Sequence, residues 1–383
     1  MLWTKALMNS CGESKMPFLY LSKDGLKELL SKLYDWGELF WVDGSFEGKP
    51  RLARATKEAI AKYEVPALRG VEPVKSLVIP PKQKVAEYPG NLDKDIEIAP
   101  KKRAIFGIAQ CDLAGITIFD RVFKDDPEFV DPFYVERRKG LFIVTIDCAK
   151  AYPSCFCNLV KGKPFCDPGD GYDLNLTPVE DGFLVDVGTP AGEELLKGTG
   201  ASQATDSIIA GRDKLRAKVT AQLEKQNAQF ATEKTYIELV SEVREEPASY
   251  RHHGSTCVEC GACTNVCPGC FCFGIYDNDA GDGRYERLMT WDSCQLAGFS
   301  RMAGMLNPRL RIAQRFMHRY NHKFFHYPWR YEGWPSCTGC GRCVDNCMGS
   351  IDMRATLRDL TVESVEDMLP SPSPKVAEPE AGK

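Results

Sequence analysis

One spacing constrains this chain more than any other feature. Cys257-Val-Glu-Cys260-Gly-Ala-Cys263-Thr-Asn-Val-Cys267-Pro268 reads C-x₂-C-x₂-C-x₃-C-P, and Cys337-Thr-Gly-Cys340-Gly-Arg-Cys343-Val-Asp-Asn-Cys347 repeats the spacing. A [4Fe–4S] cube offers four irons, each taking one soft thiolate. Three cysteines at two-residue intervals wrap one cube in a tight loop. The fourth points away and serves the other cube in two-cluster arrangements. The expected ligands are therefore Cys257, Cys260, Cys263 and Cys347 for one cluster, and Cys337, Cys340, Cys343 and Cys267 for the second. Zinc is the poorer reading, because zinc knots pair one C-x₂-C with a distant second one. Gly261, Gly339 and Gly341 let the backbone run close to an inorganic core. Met348 stands where a proline would complete the second motif.

The chain has 383 residues, 17 cysteines and a formal net charge of −4, so no overall basic excess points to nucleic acid. No apolar run reaches the length of a membrane helix, and Met1 to Ser10 makes a poor signal peptide, so a cytoplasmic protein is expected. Eleven of the cysteines fall between residues 250 and 358, which favours metal binding over a disulfide framework.

The expected architecture is an α/β N-terminal domain with a βαβ-containing mixed sheet, followed by an α-rich, ferredoxin-like dicluster domain. Residues 1–70 read as a helical region, with Leu26, Leu29, Leu30 and Leu33 at helical spacing and a short strand from Trp36 to Asp43. Residues 71–200 read as the α/β domain. Its expected strands are Val74 to Ile79, Ala104 to Ala109 and Leu141 to Ile146, with a helix over Leu113 to Phe123 capped by Asp112 and a hairpin over 172–188. Residues 201–249 read as connector helices, with Ile208, Leu215, Val219 and Leu223 on one stripe. Residues 250–358 form the dicluster domain with a helical insertion over 268–336, and 359–383 read as a disordered tail.

That insertion carries Cys270, Cys272 and Cys294, and an apolar series Met302, Leu306, Leu310, Ala313, Met317, Tyr320 and Phe324 expected on one helix. Arg284 to Arg330 holds nine Lys/Arg and two Asp/Glu. The excess reads as a solvated helix face, or as a patch for an acidic partner or phosphorylated cofactor. His318, His322 and His326 read as polar-face residues. Cys11 and Cys166 read as structural.

Cys111 and Cys148 each follow the carboxyl end of an expected parallel strand, where open α/β sheets build their sites. With Cys155 and Cys157 they form a candidate third cluster, against the plainer reading of buried apolar thiols. Tyr134, Arg137 and Arg138 read either as a salt-bridged loop or as contacts to a flavin or substrate. No G-x-G-x-x-G follows a strand, and no triad or carboxylate pair nominates a catalytic residue.

The order of features resembles a known group. Cys111-Asp112-Leu113 comes first, then Asp131-Pro-Phe-Tyr134-Val-Glu-Arg137-Arg138, Cys148…Cys155-Phe-Cys157, the two four-cysteine runs, and Trp291-Asp-Ser-Cys294 between them. Over residues 70 to 358 the chain resembles the iron–sulfur β subunit of NAD(P)-linked sulfhydrogenases and its iron–sulfur counterpart in anaerobic sulfite reductases. The resemblance implies an electron-transfer subunit of an anaerobic oxidoreductase complex. Electrons would pass between an FAD- and NAD(P)-binding partner and a catalytic subunit of hydrogenase, sulfite reductase or heterodisulfide reductase type. The competing expectation is a flavin- or substrate-binding reductase with its own site in the α/β domain.

Overall fold

The computed structural model describes residues 18–46, 49–63, 69–89, 101–243, 245–362 and 364–370. Cys11, the first ten residues and the stretch 371–383 lie outside them.

The strands are β1 (Leu19–Ser22), β2 (Glu38–Phe46), β3 (Lys49–Arg54), β4 (Lys82–Tyr88), β5 (Arg103–Ile108), β6 (Leu141–Ile146), β7 (Leu174–Val179), β8 (Gly182–Val187), β9 (Ser202–Gln203), β10 (Phe273–Gly281) and β11 (Arg284–Trp291). Eight of them form one mixed sheet in the order β3-β2-β5-β6-β7-β8-β1-β9. β2, β5, β6 and β7 run parallel, so Cys111 and Cys148 follow the same ends of neighbouring strands. The hairpin β7–β8 turns at Asp181, whose φ is 60°.

Alternation along β5 and β6 builds two cores. Phe106, Phe142 and Val144 face the helix Lys23–Trp36, whose Leu26, Leu29, Leu30 and Leu33 cover that side. Ile105 and Ile143 face the helix Gln110–Asp120, through Leu113, Ile116 and Phe119. Period two in the strands and 3.6 in the helices produces this division.

Several expectations are corrected. Residues 18–63 are no separate helical region, because β1, β2 and β3 are integral strands of the large sheet. Val74–Leu77 is a 3₁₀ turn rather than a strand, set between Pro73 and Pro80-Pro81 with Val74, Lys75 and Leu77 all buried. The helix expected over 113–123 starts at Gln110 after Ala109, and Asp112 lies in its first turn instead of capping it. The insertion is not purely helical. β10 and β11 form a hairpin there, and β4 from the first half pairs with β11 to complete a three-stranded antiparallel sheet. Met302, Leu306 and Leu310 are exposed and lie ahead of the helix Ile312–Asn321, so the apolar series is not one helix face. The described part of the expected tail is packed, with Asp359 fully buried and Met368 buried.

The two halves exchange aromatic side chains. Phe156, from the first half, is fully buried in a third core, formed with Tyr236, Tyr250, Phe316, Tyr320 and Phe324 of the second half. Phe271, from the second half, packs edge-on against Phe119 at 6.0 Å and Phe123 at 5.5 Å. Among the described residues no helix is long and apolar enough to cross a membrane.

Candidate metal centres

The two four-cysteine runs fold alike. Gly261 (φ 71°) and Gly341 (φ 76°) occupy the left-handed region and open the short helices Ala262–Asn265 and Arg342–Asp345. A side chain at either position would strain the turn that aims the third cysteine inward.

Cys257, Cys260, Cys263 and Cys347 line one cavity, together with Cys343 and Arg319. Burial pushes Cys263 up to about 11, and burial likewise raises Cys257. Such thiols stay protonated until a metal displaces the proton. The Arg319 guanidinium is buried there, and its Nε and Nη2 have no hydrogen-bond partner. An orphaned buried cation is costly unless a negative group faces it. A cube bound by four thiolates carries net negative charge, so the donor set and the orphaned guanidinium both fit that group.

Cys337, Cys340 and Cys343 come together with Cys267 from the first run. Burial pushes Cys337 up to about 11, opposed by the Lys323 charge. Lys323 Nζ donates to Cys267 Sγ at 3.3 Å and to the Ser336 carbonyl at 2.9 Å. A hydrogen bond from Cys270, with Lys323, Lys75 and Arg319 nearby, holds Cys267 well below the ordinary thiol range.

Cys111, Cys148, Cys155 and Cys157 also converge, around a third cavity that Cys340 and Gly339 help to line. Cys111 follows β5 and Cys148 follows β6, so parallel strands bring them side by side. Burial raises both thiols well above their usual range, and it pushes Cys157 up to about 12. The Cys155–Cys157 loop is held from three directions. Phe156 N donates to the Gly339 carbonyl at 2.8 Å. Gln226 Nε2 and Asn227 Nδ2, on the helix Asp206–Asn227, donate to the Cys155 carbonyl at 2.8 and 2.9 Å. Arg69 Nη1 donates to Ser154 Oγ at 3.2 Å and to Cys155 Sγ at 3.6 Å, and it also reaches the Cys340 carbonyl. At Gly339 an added Cβ would lie 2.4 Å from Cys157 Cα, so only glycine lets the two cysteine loops touch.

Among the described residues no group of three or more His, Cys, Asp or Glu stands ready for a single metal ion. One zinc ion gathers its sulfurs to within about 4 Å of one another, whereas a cube spreads them over its four corners.

Other candidates resolve differently. The basic excess over 284–330 is not one surface patch, because Arg315, Arg319 and Lys323 are buried. Arg319 and Lys323 turn toward the cysteines, and Arg315 pairs with Glu259. Their four-residue spacing on one helix face was the signal available in the sequence, read there as solvation or docking. Tyr134 donates to Asp120 Oδ1 at 2.8 Å, Arg138 pairs with Asp120 at 3.1 Å, and Arg137 donates to Gln83 Oε1 at 2.7 Å. All three thus make structural bonds on and around the helix Pro132–Lys139. Cys166 is buried, and its N–H donates to Asp147 Oδ1 at 3.3 Å. The His318 and His322 rings stack at 6.3 Å, and burial draws them down to about 4 and about 3, so both stay neutral at physiological pH. Lys75 was missed altogether. It is buried and donates to the Thr264 and Cys270 carbonyls at 3.0 Å each.

Comparison with known proteins agrees with this geometry. Residues 256–351 match the model of the 4Fe-4S dicluster domain. Sulfhydrogenase 2 subunit beta of Pyrococcus furiosus is 27% identical over 337 residues, covering 88% of this chain and 96% of the relative. Along most of its length this chain is similar to that sulfhydrogenase beta subunit. The similar region extends well beyond the dicluster domain and takes in much of the α/β half. The chain is thus an iron–sulfur protein of mixed α/β architecture.

Proposed function

We propose that the chain is an electron-transfer subunit of a multi-subunit oxidoreductase. It relays electrons between an FAD- and NAD(P)-binding partner and a catalytic redox subunit. The two dicluster sites and a third [4Fe–4S] site at Cys111, Cys148, Cys155 and Cys157 form the path.

One observation carries this reading: the three thiol sets form a continuous series. Cys343 belongs to the second set and lines the first cavity. Cys340, also of the second set, lines the third cavity, with its carbonyl 3.7 Å from Cys155 Sγ. The series starts at the exposed Cys260 and ends at Cys111 and Cys148, just past the ends of β5 and β6 in the large sheet. When bound, the clusters supply one-electron redox chemistry. The chain's own groups hold the thiolates, exclude water, and set positive charge beside each set through the partly buried Arg69 and the buried Arg319 and Lys323.

The test is anaerobic purification of the whole chain, with iron and acid-labile sulfide measured for the wild type and for Cys148→Ala/Cys157→Ala. The expected difference is about four iron, one cube. Equal iron in the two proteins removes the third site from the path. In the assembled complex, Cys260→Ala should abolish transfer from nicotinamide to the terminal acceptor while each partner keeps its dye-linked activity. Retained overall transfer would take this chain off the path.

A further inference from the structure

Two features of the sequence have no part in holding the clusters. Met302, Leu306 and Leu310 stand ahead of the helix Ile312–Asn321 and belong to none of the three cores. Met348 takes the place of the proline expected after Cys347. All four side chains are exposed, and so is Met305, at 86%.

The loop that carries Met302 to Leu310 is built rather than slack. Asn307 Nδ2 donates to the Ala297 carbonyl at 2.7 Å, Arg309 Nη1 to Ser300 Oγ at 2.7 Å, and Met302 N to the Leu306 carbonyl at 2.8 Å. Gly304 (φ 71°) and Met305 (φ 62°) turn its tip through the left-handed region. Apolar side chains are thus held in water at fixed positions, which costs free energy until another surface covers them.

The same loop is fastened to the first cysteine run. Buried Arg315 pairs with Glu259, next to Cys260, and its Nε and Nη1 donate to the Gln295 and Arg309 carbonyls at 3.0 and 2.9 Å. Gln295 lines the first cavity with Val258 and Cys260. Val258 and Met348, chain neighbours of Cys257 and Cys347, are exposed. Among the described cysteines Cys260 alone is exposed. The uncovered apolar residues therefore flank the place where the thiol series reaches the surface.

Charge narrows the choice of occupant. Between Leu296 and Ile312 there are three arginines and no Asp or Glu. Arg301 and Arg311 are exposed, and Arg311 also pairs with Glu246 at 3.3 Å. A second copy docking by the same face would set arginine against arginine. We propose that this surface seats a partner subunit with its own redox centre, whose contact face is apolar with an acidic rim. This rests on the relay function, because Cys260 is where an outside redox centre comes nearest to the series. Exposed apolar side chains in this number fit a lasting subunit contact better than a passing encounter, and methionine adapts its shape to such a contact.

The experiment uses the assembled complex. A photo-crosslinker in place of Met305 should join this chain to one subunit that carries a redox centre. Cross-links to a second copy of the chain, or to its own residues 1–17 or 371–383, overturn the proposal. Met305→Asp/Leu310→Asp should weaken re-association of the purified chain with that subunit by about 30-fold or more, the loss of a contact hot spot. The isolated variant should keep the iron content and reduced EPR signals of wild type. Equal affinity of variant and wild type overturns the docking site. If the variant loses iron or does not fold, the cross-link decides alone. Arg301→Glu should slow re-association and flatten its salt dependence, and unchanged rates overturn the acidic rim. Failure of the relay reads differently. Cys260→Ala would then keep overall transfer, whereas a misplaced docking face leaves every subunit bound to Met305→Asp/Leu310→Asp.

Discussion

Arg342 Nη2 donates to Asp112 Oδ2 at 2.8 Å, with each side chain only 1% exposed. Arg342 belongs to the second cysteine run and Asp112 follows Cys111, so the pair joins the dicluster region to the α/β half. Arg342 Nε also donates to the Gly70 carbonyl at 2.8 Å. Removing one member of such a pair leaves the other charge buried and alone, at a cost of about 3–5 kcal/mol. Asp112→Asn should therefore lower the urea midpoint clearly, with the slope little changed. Replacing both residues, as Asp112→Leu/Arg342→Met, should cost less than Asp112→Asn alone. Additive losses would mean that the two side chains act independently.

Lys323 offers a test by potential. Its ammonium sits 3.3 Å from Cys267 Sγ. A positive charge there favours the reduced, more negative state of whatever Cys267 binds. Lys323→Met should shift one of the dicluster potentials to more negative values. One charge a few Å away at an effective dielectric near 20 is worth about 4 kcal/mol. For one electron, after relaxation, that corresponds to a shift on the order of 100 mV. The measurement is an anaerobic redox titration followed by EPR. A shift to more positive values would contradict the electrostatic role.

His253 sets a pH response away from the cysteines. Its Nε2 lies 2.7 Å from Asp359 Oδ2, and both side chains are fully buried. Burial lowers the folded-state pKa of His253 from 6.5, although Asp359 opposes the shift. The unfolded chain therefore takes up a proton, as pH falls through about 6.5, that the folded chain resists. This contribution is fully present above about pH 7 and is lost below it, at up to about 1.4 kcal/mol per pH unit. His253→Gln can still donate to Asp359 and does not titrate. Melting curves from about pH 7.5 to about pH 5.5 should fall less steeply for the variant than for wild type. Parallel curves would place the response elsewhere.

Local order was legible in the sequence, and long-range order was not. The two cysteine runs, the parallel strands before Cys111 and Cys148, and the hairpin near Asp181 follow from spacing, alternation and a turn, each within a few residues. β10 carries mostly exposed side chains, so no alternation announced it. β4 gains its meaning only by pairing with β11, far along the chain. The buried cations Lys75, Arg319 and Lys323 ran against expectation for a different reason. A basic helix face normally belongs to water, and it turns inward here because thiols lie opposite. The meeting of Cys111 and Cys148 with Cys155 and Cys157 was expected from two strand ends and the Cys155-Phe-Cys157 spacing. Its contact with Cys340 through Gly339 was not, because nothing local encodes it.

The pairing of β4 with β11 matters when the protein is made. Lys82 and Thr290 are partners about 200 residues apart, a long loop to close before the pairing stabilises anything. On the ribosome β4 emerges early, while the hairpin it completes is still untranslated. Until then the nascent first half waits with an unpartnered strand, and the cysteines after β11 lack the wall that Ile79 and Trp291 build together. Iron supplied late, after the full length is released, suits this order better than iron supplied to the growing chain. For the same reason the dicluster segment expressed from residue 250 onward would lack β4, Lys75 and the Gly339–Phe156 contact, and would be a poor vessel for its own clusters.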